Sequence, residues 1–136
     1  MSKLHLAIPI MLLLAPLASQ AAPSAKDIET SCKNASTRSV TYSMCLDEKL
    51  KTTQTSYDAW IQSREIELEK VAKDTGRESI IYEFKKSNDF YKQFIESQCR
   101  RVFFENQSKG NAADRYRVCK IRQMLSRIEQ MEQEAE

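Results

Sequence analysis

Four cysteines are the residues of this 136-residue chain that are best suited to chemistry: Cys32, Cys45, Cys99 and Cys119. None of them form a Cys-x-x-Cys pair, which argues against a thioredoxin-like oxidoreductase, and gaps of 12 and 19 residues are too wide for a zinc knuckle. The one histidine, His5, lies in a segment that is predicted below to be removed. Its loss excludes Ser-His-Asp and Cys-His catalysis and histidine-ligated zinc from the mature chain.

A pair of carboxylates, Glu65 and Glu69, has the spacing of neighbours on a helix and could mimic the acid/base pair of a hydrolase. Such a pair on an exposed face is ordinarily a solvated surface pair with a slight repulsive cost. The two glycines of the chain are too few for a Gly-rich nucleotide loop. We therefore predict a protein that is not an enzyme, with no catalytic residue, no metal and no cofactor.

The N-terminal residues have the three parts of a secretory signal. Residues 1–5 form a short cationic start, and the apolar run over residues 6–17 is shorter than the ~20 residues a membrane span needs. Pro9 and Pro16 interrupt the run, while the small residues Ser19 and Ala21 suit cleavage after Ala21. The sequence predicts a signal peptide over residues 1–21. The mature chain, residues 22–136, is then periplasmic or secreted, and export favours two disulfides.

The mature chain is predicted to be one all-α domain, because apolar residues recur at intervals of three and four. A first helix runs from about 38 to 73, Gly76 marks a break, and Thr75 and Glu78 have the form of a capping box for a second helix. After a break over residues 106–110, a third helix begins at Asn111. We expect an antiparallel three-helix bundle stapled by two disulfides. The predicted core stripes are Leu46, Leu50, Thr53, Tyr57, Trp60, Arg64, Leu68 and Val71; Ile81, Phe84, Asn88, Tyr91, Ile95 and Val102, with Phe94 and Phe103 beside them; and Val118, Ile121, Leu125 and Ile128.

The positions of the turns predict the disulfide pairing. Cys99 and Cys119 lie ten residues before and ten after position 109, so an antiparallel hairpin places them at one level. Pairing Cys45 with Cys99 across the first turn leaves a mismatch of eight residues, or ~12 Å. Cys32 and Cys45 remain, and they can join only if the chain around Cys32 folds back along the first helix.

Three blocks around the cysteines carry a shared pattern, which comprises Cys32, Ala35, Thr37 and Cys45, then Asn88, Tyr91, Glu96 and Cys99, then Cys119, Arg127 and Met131. They resemble the lysozyme inhibitor LprI family, small exported helical domains of bacteria, over about residues 31–131. In that family Gln, Trp and Asp are usual where this chain has Asn88, Tyr91 and Glu96. The resemblance implies a four-cysteine helical domain in the cell envelope that, in some members, binds and inhibits lysozyme.

Charge is distributed unevenly along the chain, although its net value is only +2. Residues 85–127 carry eleven basic and four acidic side chains, whereas residues 58–83 carry four basic and seven acidic ones. One interpretation is a solvated helix surface of mixed charge. The other is a hairpin tip, over residues 100–117, that inserts a Lys or Arg from Lys109, Arg115 or Arg117 between the two catalytic carboxyl groups of a lysozyme. Candidate partner-binding residues are Arg100, Arg101, Phe104, Lys109, Arg115, Tyr116, Arg117 and Arg122.

These features together favour stoichiometric binding of a protein partner, with lysozyme or a related peptidoglycan hydrolase as the expected target. The alternative is a non-inhibitory structural or stress protein of the cell envelope that contacts peptidoglycan or periplasmic clients. We expect no nucleic acid partner, no stable membrane insertion after signal cleavage, and a monomer or weak dimer.

Overall fold

A computed structural model of the chain describes residues 22–37 and 41–135. Regular structure in these residues is all helical and comprises α1 (Ala25–Ala35), α2 (Tyr42–Thr75), α3 (Ser79–Glu105), a 3-10 turn (Gln107–Lys109) and α4 (Ala112–Ala135). The predicted signal peptide and the predicted helix start at residues 38–40 lie outside the described residues. No helix within them is long and apolar enough to cross a membrane.

Local sequence explains where the helices begin and end. Ser24 caps α1 in a capping box, accepting the Asp27 amide at 3.2 Å while its own amide donates to the Asp27 carboxylate at 3.0 Å. Gly76 and Gly110, with φ of 68° and 70°, occupy the left-handed region at the two predicted breaks, which confirms both. The predicted Thr75–Glu78 capping box does not form. Thr75 still belongs to the last turn of α2, and its hydroxyl donates to the backbone carbonyl four residues earlier at 2.7 Å.

Side-chain contacts establish the direction of each helix. Two contacts join α2 to α4 with the same offset of 70 residues, one from Arg117 to Asp47 and one from Arg64 to the Glu134 carbonyl, so these helices run parallel. Between α3 and α4 the order is reversed, since a later residue of α3 contacts an earlier residue of α4. Tyr91 donates to the carbonyl of residue 123, and Cys99 bonds Cys119. The hairpin of α3 and α4 is therefore antiparallel, as predicted.

The prediction of three helices misses α1, the fourth helix. The chain around Cys32 does fold back along α2, and Tyr42 at the start of α2 donates to Glu29 of α1 at 3.4 Å. It does so as a helix because α1 has a capped start and two buried positions one turn apart, Ile28 and Cys32. Contacts with both α2 and α4 make α1 a part of the bundle.

Two apolar clusters form the core. One, built around Tyr57, Ile95 and Met124, lies between α2, α3 and α4. The other packs α1 against α2 and α4. The predicted stripes include many of these residues, but two members are wrong: Phe94 is 49% exposed and Val71 is 39% exposed. Their apolarity and their spacing predict burial, but both side chains lie on the outer faces of their helices. The buried residues absent from the predicted stripes include Ile61, Ala72, Met124, Arg127 and Met131.

Candidate functional site

Two disulfides fix one end of the bundle. Cys32 bonds Cys45 and Cys99 bonds Cys119, with 5.5 Å between Cα atoms in each pair, which confirms the predicted pairing. Because α2 and α4 run parallel with an offset of 70 residues, the two disulfides lie within about one helical turn of each other in height. We call the part of the bundle around them the stapled end.

The α3–α4 turn closes the stapled end. After α3, Asn106 donates its side-chain amide to the Val102 carbonyl at 2.8 Å, and the 3-10 turn then leads to Gly110. Lys109, in that turn, is exposed, and no carboxylate of the described residues lies within ion-pair distance of it. The turn therefore presents an unpaired ammonium group above a disulfide.

Glu96 organises the face where α3 meets α4. Its carboxylate accepts from the Tyr116 hydroxyl at 2.8 Å and from Arg100 at 3.2 Å, and the Lys120 ammonium lies 3.7 Å away. These contacts, led by the Tyr116 hydrogen bond, hold the pKa of Glu96 below its usual value, whereas burial and the negative carboxylate raise the pKa of Tyr116. Tyr116 and Arg100 thus have intramolecular partners.

Arg117 links α4 to α2. Its guanidinium donates to the two carboxylate oxygens of Asp47 at 2.6 and 3.2 Å and to Asp114 at 3.1 Å. The hydrogen bond with Asp47 is the main cause of a raised pKa for Arg117. A bidentate contact of this kind orients both partners. Arg117 therefore positions the hairpin against α2 and has little freedom to meet another protein.

The structure separates the predicted binding residues into different places. Arg100, Arg101 and Phe104 line a shallow cavity of about 370 Å³ on the outside of α3, where Arg101 also pairs with Glu105. Arg115 lines another cavity, of about 220 Å³, that includes Tyr42 and residues of α1.

Arg122 lies further along α4, in a cavity of about 490 Å³ against residues 22–25. Arg115 and Arg122 are one heptad apart on α4, but both flank α1 and are not on the α3 side with Arg100. The eight residues therefore do not form one continuous patch.

A buried polar cluster was not predicted as a unit. Arg127, only 7% exposed, donates to Asn88 at 3.0 Å and to Gln130 at 2.8 Å, and its guanidinium carbon lies 5.4 Å from the centre of the Tyr91 ring. The Tyr91 hydroxyl in turn donates to a backbone carbonyl of α4 at 3.2 Å. Three motif residues, at positions 88, 91 and 127, thus meet between α3 and α4, where they can stabilise one helix against the other. Asn88 and Arg127 are buried from any partner, and Tyr91 is partly buried.

Three phenylalanines of α3 are exposed on the side away from the core: Phe90 at 60%, Phe94 at 49% and Phe104 at 59%. Of these three, only Phe104 is among the predicted interface residues. The signal that could have identified the others is their spacing, because positions 90, 94 and 104 lie along one line of a helix that is distinct from the line of Asn88 and Ile95.

The described part of the chain has no cluster of three or more His, Cys, Asp or Glu side chains that could hold a metal ion. Comparisons of the chain with protein-family models, with curated proteins and with solved structures find no match. Function must therefore be argued from the surfaces described above.

Proposed function

We propose that this protein is an exported binding module that inhibits a lysozyme or a related peptidoglycan hydrolase by occluding its active-site cleft. One observation carries the proposal: Lys109 is exposed, has no acidic partner among the residues that the structure describes, and lies at a turn whose two flanking helices are joined by a disulfide. A rigid hairpin with a free cation at its tip is suited to enter a cleft lined by carboxylates.

The electrostatics explain why Lys109 is the preferred contact among the tip cations. Lysozymes place two carboxyl groups on either side of the scissile bond, and an ammonium group between them would pair with both. Arg117 already binds two carboxylates, and Arg100 and Arg101 each pair with a glutamate one turn away in α3. Each of these would have to break an internal contact to engage a target. Arg115 also makes no ion pair among the described residues, but it belongs to α4 and lines the cavity beside α1 rather than lying in the turn itself.

The Cys99–Cys119 disulfide supports this role because it limits the entropy lost when the tip binds. Side chains and loops that become ordered at an interface reduce affinity, so a pre-formed hairpin retains more of its interaction energy. The compartment follows from the same proposal: the signal peptide delivers the chain to the periplasm or the exterior, where its disulfides form and its target acts.

The test is binding and inhibition by the mature chain, residues 22–136, with lysozyme as the probe. Calorimetry measures affinity, and the clearing of a cell-wall suspension measures inhibition. We expect Lys109→Ala to weaken both by about tenfold or more, the loss of one desolvated charge pair. The matched control is Lys73→Ala, because Lys73 is an exposed lysine in the last turn of α2, at the opposite end of the bundle.

Two outcomes would contradict the proposal. Absence of binding at micromolar protein would leave the non-inhibitory envelope protein as the better account of this chain. Equal losses for the Lys109 and Lys73 variants would show that net charge, and not the tip, governs binding.

A further inference from the structure

The turn between α3 and α4 carries a single charge. Over residues 106–113 Lys109 is the one charged side chain. The carboxylates on either side of this stretch, Glu105 and Asp114, each pair with an arginine of their own helix. Acidic groups of a target that meet the turn must therefore share one ammonium group, and this limits the kind of target that fits.

Backbone hydrogen bonds hold the position of Lys109. Its amide donates to the Asn106 carbonyl at 3.0 Å, and the Gly110 amide donates to the Gln107 carbonyl at 3.4 Å. Gly110, with φ of 70°, then directs the chain toward α4. The ammonium group therefore moves mainly through rotation of its own side chain, and the turn has no second cation to place beside it.

The geometry of an ammonium group limits the separation of two carboxylates that it can bridge. A charged N–H···O contact is about 2.8 Å long, so two oxygen atoms bound by one nitrogen lie about 4.6 Å apart at the tetrahedral angle and at most about 5.6 Å apart. Retaining glycosidases hold their two carboxyl groups about 5–5.5 Å apart, and inverting ones about 6.5–9.5 Å apart. One ammonium group can thus contact both carboxyl groups of a retaining enzyme but only one of an inverting enzyme.

We propose that the α3–α4 turn recognises retaining peptidoglycan hydrolases in preference to inverting ones, with Lys109 bridging the general acid and the nucleophile. This inference rests on the inhibitory function proposed above and specifies its target class. Carboxylates held in this way can neither protonate the leaving group nor attack the sugar. An arginine at the same position would select less sharply, because its two terminal nitrogens can each donate to a different carboxylate across a wider gap.

Isothermal titration calorimetry of the mature chain with a retaining lysozyme and with an inverting lysozyme tests the inference. Measurement at pH 8 keeps both catalytic carboxyl groups ionised, since the raised pKa of the acid in lysozyme is about 6. We expect the retaining enzyme to bind at least about 10-fold more tightly, which is the difference between two charge contacts and one. Replacing either catalytic carboxylate of the retaining enzyme by its amide should weaken binding by a similar factor.

Lys109→Arg gives the sharper comparison because it retains the net charge. Its dissociation constant for each enzyme is divided by the wild-type value for that enzyme, so differences in charge between the two enzymes cancel. We expect this ratio to be at least about threefold larger for the retaining enzyme than for the inverting one. The matched control is Lys73→Arg, at an exposed position in the last turn of α2, for which both ratios should be close to one. Circular dichroism verifies that both variants keep their helices.

The outcomes separate the target class from the function itself. Equal wild-type affinity for the two enzymes, or tighter binding of the inverting one, would overturn the preference while leaving inhibition intact. An equal effect of Lys109→Arg on both enzymes would also overturn it. Binding to neither enzyme would instead contradict the proposed function on which the preference rests.

Discussion

The two ends of the bundle are held together by different means. At the stapled end, two disulfides and the bidentate pair of Arg117 with Asp47 connect all four helices. Toward the other end the described residues contain no disulfide. There the buried contact of Arg127 with Asn88 joins α3 to α4, and exposed contacts of Arg64 and Lys85 join α2 to its neighbours. The proposed tip lies at the end with covalent connections.

The difference suggests that the disulfides provide rigidity, whereas the buried polar contact determines how the helices align. Disulfides reduce the conformational entropy of the unfolded chain and keep the tip pre-formed, but they do not determine which core residues pack together. A buried guanidinium does favour one alignment of α3 with α4, because in other alignments it loses its hydrogen-bond partner on α3. The comparison therefore predicts that the stapled end is the more sensitive to reduction and that the other half is the more sensitive to loss of a polar partner.

Removal of the Cys99–Cys119 bond by paired serine substitutions should have the largest effect. The closed loop spans 20 residues, and the chain-entropy estimate gives a loss of about 3 kcal/mol in the free energy of unfolding. Urea denaturation at pH 7 measures it. The matched variant removes Cys32–Cys45, whose loop spans 13 residues. We expect it to cost less, because the 11-residue α1 can detach and regain entropy while the rest stays folded.

Hydrogen exchange distinguishes these two responses. Loss of the Cys32–Cys45 bond should speed amide exchange in α1 while leaving α2 to α4 protected, and loss of Cys99–Cys119 should lower protection throughout the bundle. Uniform loss of protection in both variants would mean that the stapled end is a single cooperative unit, and that α1 is not separable from it.

Arg127→Met should have the next largest effect, about 2 kcal/mol of destabilisation, because it keeps an unbranched apolar stem but removes two hydrogen bonds and an ion pair with Glu134. It leaves Asn88, 2% exposed, with no partner for its side-chain oxygen. The double variant Arg127→Met, Asn88→Leu should recover most of that loss, since well-packed apolar residues often replace a buried polar pair without cost. A double-mutant cycle in urea gives the coupling between the two positions.

An additive cycle would contradict the role given to this pair. In that case the cost of Arg127→Met would come from altered packing alone, and the half without disulfides would depend on apolar contacts of Tyr57 and Met124 rather than on a specific polar contact.

Most of the fold could be predicted from the sequence, for identifiable physical reasons. Helical periodicity, the two glycines with positive φ and the symmetric placement of Cys99 and Cys119 about the turn each depend on local geometry. Helix α1 was missed because only two of its 11 residues are buried, too few to create a periodic stripe. Phe94 was misplaced because periodicity reports apolarity, and it does not tell which apolar face is covered.

The candidate site was less predictable, because binding residues were selected by charge and by distance along the chain. Charge does not reveal which cation is already paired, and the acidic partner of Arg117 is 70 residues away in α2. Position along the helix placed Arg122 with the tip, although α1, which the sequence did not predict, lies next to it. The buried environment of Arg127 was equally hidden, since a basic residue is exposed in most helices.

The smallest predicted effect concerns acid sensitivity at the stapled end. Glu96 has a pKa below its usual value in the folded chain, so the unfolded chain binds its proton more readily. Its stabilising contribution is present above the ordinary value of 4.5 and is lost as the pH falls through the lowered folded value. Tyr116→Phe removes the main cause of that shift. We expect it to cost less than about 1 kcal/mol at pH 7, since the Glu96 side chain is 43% exposed.

Compared at pH 7 and at a pH below the lowered folded pKa of Glu96, the cost of Tyr116→Phe in thermal or urea unfolding should shrink toward zero at the lower pH. Tyr82→Phe is the control, because the exposed Tyr82 hydroxyl has no carboxylate partner among the described residues, and its replacement should have no effect at either pH. An equal cost of Tyr116→Phe at both pH values would mean that its hydroxyl contributes through packing at the α3–α4 interface. The stapled end would then derive its strength from covalent bonds and the Arg117 contact, without help from Glu96.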